Sequence, residues 1–414
     1  MKLTIDQTRL VNELETLGAI SEAPPPVTTR VVFTEADLRG RGFVKQLCRD
    51  AGLVIREDPI GNTFARWAGA APENPAVGTG SHIDAIPNAG RYDGTVGVLG
   101  GLEALRALAR SGFRPRRSIE LVIFTSEEPT RFGIGCMGSR LLSGLLDVAT
   151  AEQLKDRNGA SLEQARTQAG FAGPLSAVRL PNDYYSAFVE LHIEQGPILE
   201  ARKIEIGVVT AIAAPASLRV WIEGEGGHAG AVLMHDRRDA FLTAAEIALA
   251  VESAARSTGA IDTVGTVGVC DVFPGAVNSI PSRVRIEIDV RDIDEARRDR
   301  VLGKIAETCA EVAARRRVNV RTEPLNTDPP AQCAPAVVDV LTEACDAHGF
   351  SHMRMISRAY HDSLFLSRIA PTAMIFIPCR SGFSHRPDEY ASPEDIGRGT
   401  LVLAEALARL AGAA

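Results

Sequence analysis

His82, Asp84 and Asp93 stand in Ser81-His82-Ile83-Asp84 and Gly90-Arg91-Tyr92-Asp93-Gly94-Thr95-Val96-Gly97. An apolar run at 76–80 leads into this Gly-rich stretch, and a long apolar segment at helical spacing, 98–108, leads out of it. Imidazole and carboxylate are the ligands a borderline metal such as zinc or manganese accepts, and strand ends and rigid loops hold them at fixed spacing. Asp84, two residues beyond His82, is placed to take that ring's second N–H and fix its tautomer. Comparable outlets recur. The branched and aromatic run 118–125 empties into Ser126-Glu127-Glu128, where one acid can bind metal and the other move protons. An acid pair at a helix start, favoured by the macrodipole, is the alternative for these two. The run 187–191 delivers His192-Ile193-Glu194-Gln195-Gly196-Pro197, and the run 373–378 empties into a loop that carries Ser384-His385.

Of the eight histidines, His82, His192, His228, His361 and His385 lie in Gly-, Ser- or acid-rich loops after apolar runs, while His235, His348 and His352 look incidental. His82, Asp93, Glu128, His192 and His385 supply enough ligands for two metals bridged by one carboxylate. Water between such ions is acidified towards neutrality and becomes a hydroxide nucleophile, with Glu127 as general base and proton shuttle.

Elements that would carry these residues follow from the pattern around them. Leu10, Leu14 and Leu17 share a helical face, 35–51 repeats at helical spacing up to Gly52, and 63–67 reads as a strand. Strands alternating with helices predict α/β architecture, whose ligands bind in the crevice at strand ends. Residues 140–183 read only as helix and loop. From 212 the order becomes strand (217–223), helix (236–251), strand (263–271), strand (282–292), helix (301–314) and strand (319–323), which resembles a ferredoxin-like module. The predicted organisation is a discontinuous catalytic domain, 1–211 with 329–414, and an inserted domain, 212–328.

At 414 residues the chain exceeds the size at which one core stops growing. Its 45% hydrophobic and 23% charged residues are those of an ordinary globular protein. A net charge of −7, with no basic run longer than Arg315-Arg316-Arg317, argues against a nucleic-acid partner. Seven scattered cysteines without a C-x-x-C pair predict reduced thiols, and the lack of a leader-like start or membrane-length apolar run predicts a cytoplasmic protein with no membrane partner.

Taken in order, Gly80-Ser81-His82-Ile83-Asp84, Tyr92-Asp93-Gly94, Glu127-Glu128 with Arg131-Phe132, His192-Ile193-Glu194-Gln195-Gly196-Pro197, Gly227-His228-Ala229-Gly230, Asn278-Ser279-Ile280-Pro281, Asp289-Val290-Arg291 and Ser384-His385 resemble the hydantoinase/carbamoylase branch of the M20 metallopeptidase-like amidohydrolases. That branch includes N-carbamoyl-L-amino-acid hydrolases, allantoate amidohydrolases, ureidoglycolate amidohydrolases and β-ureidopropionases. The resemblance implies a mixed-sheet di-metal domain with an inserted lid and dimerisation domain, and two divalent ions, manganese or zinc. It implies His82, Asp93 and His192 around one ion, Asp93, Glu128 and His385 around the other, and Glu127 as base. Peptidase relatives tend to carry a carboxylate where this chain has His192. His228 from the partner subunit of a homodimer would polarise the scissile carbonyl, Asn278 and Arg291 would hold a substrate carboxylate, and Gln195 suits a ureido group.

Two departures stand out. Ala231-Val232-Leu233-Met234 replaces a common Thr-Thr-Pro-Met, and Arg358-Ala359-Tyr360-His361-Asp362-Ser363 replaces Gly-Ala-Gly-His-Asp-Ala. The second version is similar to ureidoglycolate amidohydrolases and makes Tyr360 and His361 candidate substrate contacts. The implied reaction is hydrolysis of a linear ureido C–N bond in a small carboxylate, ureidoglycolate first, with allantoate or an N-carbamoyl-L-amino acid as alternatives. A catalytically inactive binding protein of the same fold is the alternative from another class.

Overall fold

The computed structural model describes residues 2–414. The chain divides into two compact units: residues up to Thr210 with Cys333–Ser357 and His361–Ala414, and Ala211–Gln332 with Arg358–Tyr360. Tyr360 therefore belongs to the second unit, and not to the catalytic stretch 329–414 expected from the sequence.

The first unit is built on a large mixed sheet. Four adjacent strands in its middle, Thr372–Ile377, Tyr185–Ile193, Ala76–His82 and Ile119–Phe124, run parallel. Nearly every residue in them is buried, as expected for strands covered on both faces. Ile206–Ile212 pairs antiparallel on one side, and Thr63–Trp67 followed by Val54–Glu57 on the other. Val122, Phe124, Tyr185 and Phe188 point into one core with Met137, Leu141 and Leu142. Leu121 and Leu191 face the opposite way and meet the helix Thr95–Arg110 at Gly100 and Gly101. That helix lies very close to the sheet: a Cβ on Gly97 would fall 2.3 Å from the Leu191 carbonyl oxygen. Glycine there is required for the helix to sit directly behind the strand ends.

Several predicted elements have shifted limits. The helix expected over 236–251 spans Ala240–Arg256, because the Asp239 carboxylate accepts the Phe241 and Leu242 amides and sets the N-cap. Ala85–Ala89, Ile206–Ile212 and His352–Ser357 are further strands, beyond those predicted. Residues 140–183 hold the helices Val148–Gln153 and Leu162–Gln168 and the end of Met137–Ser143.

In the second unit, Val264–Phe273, Arg283–Asp292, Ala214–Glu223 and Asn319–Thr327 form a four-stranded antiparallel sheet in that spatial order. Val284, Ile286, Ile288 and Val290 alternate onto the face packed by the helices Ala240–Arg256 and Glu295–Arg316. The seven cysteines are unpaired, and all but Cys270 are buried. Among the described residues no helix is long and apolar enough to cross a membrane.

Candidate metal centre

The parallel strands end on one edge of the sheet, and the chemistry-bearing residues leave from those ends. His82 is the last residue of Ala76–His82, His192 lies inside the end of Tyr185–Ile193, Glu127 and Glu128 follow Ile119–Phe124, and His385 lies on the loop after Thr372–Ile377. Asp93 occupies the loop before the helix Thr95–Arg110. Glu127 and Glu128 sit in a bend, and the next helix begins only at Met137, so they are not a helix-start acid pair.

Asp93 is the meeting point. Its Oδ1 lies 3.4 Å from His82 Nε2 and 3.2 Å from His192 Nε2, and its Oδ2 lies 3.4 Å from His385 Nε2. Glu128 Oε1 is 3.5 Å from the same His385 nitrogen, and Glu127 Oε2 is 3.7 Å from His82 Nε2. His82 Nδ1 is 3.0 Å from the Asp84 carbonyl oxygen and His192 Nδ1 2.9 Å from the Ile193 carbonyl oxygen. Each Nδ1 therefore carries the proton, and each Nε2 presents its lone pair. The Gly94 amide donates to His192 Nε2 at 3.1 Å, in keeping with that tautomer. Gly94 has φ 66°, and a Cβ there would lie 2.4 Å from His82 Nε2, so a side chain would occupy the space in front of the imidazole.

Two imidazole lone pairs facing one carboxylate oxygen repel unless a cation or proton lies between them, and this chemistry fits a divalent ion. The ligand atoms of His82, Asp93 and His192, and those of Asp93, Glu128 and His385, fall into two groups, each within 4.8 Å. The electrostatics of the site agree. Burial works to lower the pKa of His82, but the charges of Glu127 and Asp93 outweigh it and raise it well above the imidazole range. Burial would raise Asp93, yet the surrounding imidazoles of His192, His385 and His82 hold it well below the carboxylate range. Burial and then the neighbouring charge of Asp93 push Glu128 up to about 7, and burial also drives Glu127 well upward. His385, hydrogen-bonded to Asp93, rises to about 9. Crowded acids whose ionisation is disfavoured by their own neighbours are what a divalent cation relieves. Only His385 is well exposed, at 48% of its side chain, so the group with Glu128 opens to solvent.

The backbone at the centre is strained. Ser126, Cys136, Gln195 and His385 all have positive φ, between 54° and 60°. Non-glycine residues persist there when surrounding contacts over-determine them.

Asp84 acts differently from expectation. The ring N–H of His82 goes to the Asp84 carbonyl, while the carboxylate, its Oδ1 3.7 Å from the same ring nitrogen, accepts the amides of Glu127 at 3.2 Å and Glu128 at 3.0 Å. Asp84→Ala leaves two buried amides without an acceptor, at about 1–3 kcal/mol each, and frees the segment that carries both acids. The expected result is a folded, less stable protein with kcat lowered about 10²-fold, the scale of a 1 Å misplacement. Thermal unfolding and turnover at saturating substrate measure it, and a kcat within twofold of the parent would refute the assignment.

A further His/acid group, Glu190, His192 and His361, is explained by hydrogen bonding. Glu190 accepts Ser81 Oγ at 2.7 Å and Ser363 Oγ at 2.6 Å, and His361 Nε2 lies 3.1 Å from Ser357 Oγ. His361 is 2% exposed and its ring packs 4.5 Å from that of His192, so it buttresses a ligand rather than forming an open wall. Gln195 Nε2 donates to Asp93 Oδ2 at 2.6 Å, while its amide oxygen, the half left to meet a ureido group, is buried without a partner. In the second unit, the short ladder Gly227–His228 with Ser279–Ile280 brings His228 beside Asn278, whose carbonyl accepts the Ala229 amide at 2.9 Å. The Gly230 amide donates to His228 Nδ1 at 3.1 Å, leaving the exposed ring with an Nε2–H donor. Arg291 pairs with Asp289 at 2.8 Å, and its guanidinium lies 5.9 Å from the Tyr360 ring.

Three residues to which the sequence pattern assigned no role join the centre. The Cys136 thiol donates to Glu127 Oε1 at 3.4 Å, Ser384 Oγ lies 2.6 Å from Asp93 Oδ2, and Glu389 Oε1 accepts the Tyr92 and Asp93 amides. The only local signal for Glu389 is an acid four positions after His385 in a Pro-broken loop.

Comparison with known proteins agrees with this geometry. The chain is 54% identical to "Ureidoglycolate hydrolase" of Arabidopsis thaliana over 99% of its own length and 87% of that protein. It is 38% identical to "N-carbamoyl-L-amino acid amidohydrolase" of Geobacillus stearothermophilus, covering 98% of this chain and 99% of the other. The crystal structure of AtUAH in complex with glyoxylate superposes with a TM-score of 0.90 at 53% identity, covering 99% of this chain and 98% of that one. The profile of peptidase family M20/M25/M40 matches residues 78–409, and the chain belongs to that family.

Proposed function

We propose that this protein is a metal-dependent amidohydrolase that cleaves the terminal ureido C–N bond of ureidoglycolate. The observation that carries the chemistry is Asp93, with one oxygen turned to His82 and His192 and the other to His385. The substrate assignment is supported by the likeness to the Arabidopsis ureidoglycolate hydrolase and by Tyr360 beside Arg291.

In this reading His82, Asp93 and His192 hold one divalent ion and Asp93, Glu128 and His385 the other. Bound there, the ions supply Lewis-acid polarisation and acidify water. Glu127 takes the proton of the attacking water: its Oε1 is held by the Cys136 thiol, its Oε2 faces the centre, and its raised proton affinity suits the task. The same carboxyl then hands the proton to the departing nitrogen, releasing ammonia. The remaining carbamate loses carbon dioxide, and the hydroxyglycine collapses to glyoxylate and a second ammonia. Arg291, released from Asp289, and Asn278 receive the substrate carboxylate, and Tyr360 narrows that corner to favour a short hydroxy acid.

The second unit, with the strand and helix order of a ferredoxin-like module, serves as lid and dimerisation domain. His228 of the partner subunit donates its Nε2–H to the developing oxyanion. Exposed Leu249, Phe241 and Val277 on that unit offer apolar surface for a homodimer to cover. Manganese or zinc satisfies the donor set equally.

Ammonia release by manganese-loaded protein from ureidoglycolate, allantoate and several N-carbamoyl-L-amino acids tests the substrate. The expected preference in kcat/KM for ureidoglycolate is at least about tenfold, roughly 1.4 kcal/mol of transition-state discrimination. A preference for a carbamoyl amino acid, the reaction named for the Geobacillus relative, would leave the centre standing and remove Tyr360 as a reporter of substrate. No turnover of any of them would favour an inactive binding protein, against which the full donor set and the retained Glu127 argue.

A further inference from the structure

We infer that Glu389 is the positioning residue that sets the orientation of Asp93, and with it the ability of one carboxylate to serve both metal groups. This rests on the two-ion reading above. Glu389 is 4% exposed and lies on the loop beyond His385. Its Oε1 accepts the Tyr92 amide at 2.7 Å and the Asp93 amide at 3.1 Å, while its Oε2 receives Ser384 Oγ at 3.0 Å. Ser384 Oγ in turn lies 2.6 Å from Asp93 Oδ2. Glu389 thus holds Asp93 from behind through its peptide N–H and shares with it the Ser384 hydroxyl, whose one proton serves one carboxylate at a time.

The loop bearing Asp93 is shaped to admit this grip. A Cβ on Gly90 would stand 2.4 Å from Glu389 Cβ, so only glycine at that position lets the acid lie against the backbone. The neighbouring residues repeat the connection, with the rings of Tyr92 and Tyr390 meeting edge to face at 6.0 Å. Asp93 must direct Oδ1 to His82 and His192 and Oδ2 to His385, and a carboxylate on a loop before a helix has no intrinsic preference for that rotation. Gln195 Nε2 and Ser384 Oγ, each 2.6 Å from Oδ2, meet the side chain directly, while Glu389 holds the Asp93 peptide and the Ser384 hydroxyl and so ties the Asp93 loop to the loop bearing Ser384 and His385. Groups that orient ligands in this way typically govern metal affinity or activity by about 10–100-fold.

The test compares wild type, Glu389→Ala, Glu389→Gln and Ser384→Ala by manganese titration with metal analysis, by the electron paramagnetic resonance spectrum of the manganese-loaded protein, and by separate kcat and KM. Glu389→Ala is expected to weaken the second ion about 10–100-fold, to lose the spectral signature of a coupled ion pair, and to lower kcat with KM little changed. Glu389→Gln retains Oε1 for both amides and can donate to Ser384, so it is expected to restore affinity and spectrum to within a few-fold. Glu389→Ala with both ions bound as in wild type overturns the inference. So does a loss of thermal stability alone, with affinity and spectrum unchanged in the folded protein. Should Glu389→Ala not fold, Ser384→Ala decides: a weakened second ion supports the inference, and wild-type affinity overturns it. Wild-type protein that takes up no manganese or zinc overturns the two-ion reading and this inference with it, whereas two ions in wild type beside an unaffected Glu389→Ala overturns the inference alone.

Discussion

Glu127→Gln keeps its full complement of metal and loses turnover of ureidoglycolate by about 10³-fold, within the range of a general acid–base group. That factor corresponds to about 4 kcal/mol of transition-state stabilisation. The substitution is close to isosteric and removes only the ability to take a proton. Glu127 belongs to neither metal group: its Oε2 is 3.7 Å from His82 Nε2, while the two groups are completed by other residues. Its backbone is held independently, by the Asp84 carboxylate at its amide and by the Cys136 amide at its carbonyl. Metal content and the positions of the ligands should therefore survive the change. Metal analysis beside steady-state ammonia release measures both. Activity within tenfold of the parent would place the base elsewhere, and loss of metal would make Glu127 a ligand.

Asp93→Ala abolishes tight binding of both ions and takes activity down at least about 10³-fold, because Lewis-acid activation of water is lost with them. The contrast is His385→Ala, which disturbs only the group containing Glu128 and leaves one ion bound. The difference follows from geometry. Asp93 supplies Oδ1 to His82 and His192 and Oδ2 to His385, whereas each histidine belongs to one of these two groups. Removing the shared carboxylate also takes from three imidazoles a charge that helps raise their proton affinity, for His82 beside that of Glu127. Stoichiometry by metal analysis after dialysis separates the two variants. Equal metal content in Asp93→Ala and His385→Ala would show that the carboxylate does not serve both ions.

How far the centre could be read beforehand depended on where each residue stands. His82, Glu127, Glu128 and His192 announce themselves because an apolar run of strand length breaks abruptly into polar residues. Their burial and convergence follow from parallel strands ending on one edge. His385 had the weaker version of the same signal, farther from its strand. Asp84 takes the His82 ring N–H, but through its peptide carbonyl, and the spacing gave no sign that its carboxylate holds the amides of Glu127 and Glu128. Glu389, Ser384 and Cys136 lie in irregular segments, where no periodicity distinguishes a residue that grips the site from one that faces water. Arg358–Tyr360 group with the second unit, which nothing local in the sequence marks.

Donor types, their order along the chain and the α/β framework that carries them are legible in one dimension, since strand and helix periods are properties of neighbouring residues. Folding alone settles which oxygen of Asp93 faces which imidazole, which nitrogen of each histidine is free, and what holds the carboxylate in place. Those contacts join residues 98, 291 and 296 positions apart, Gly94 to His192, Ser384 to Asp93 and Asp93 to Glu389. Their geometry is set by sheet register and loop packing, which no local pattern encodes.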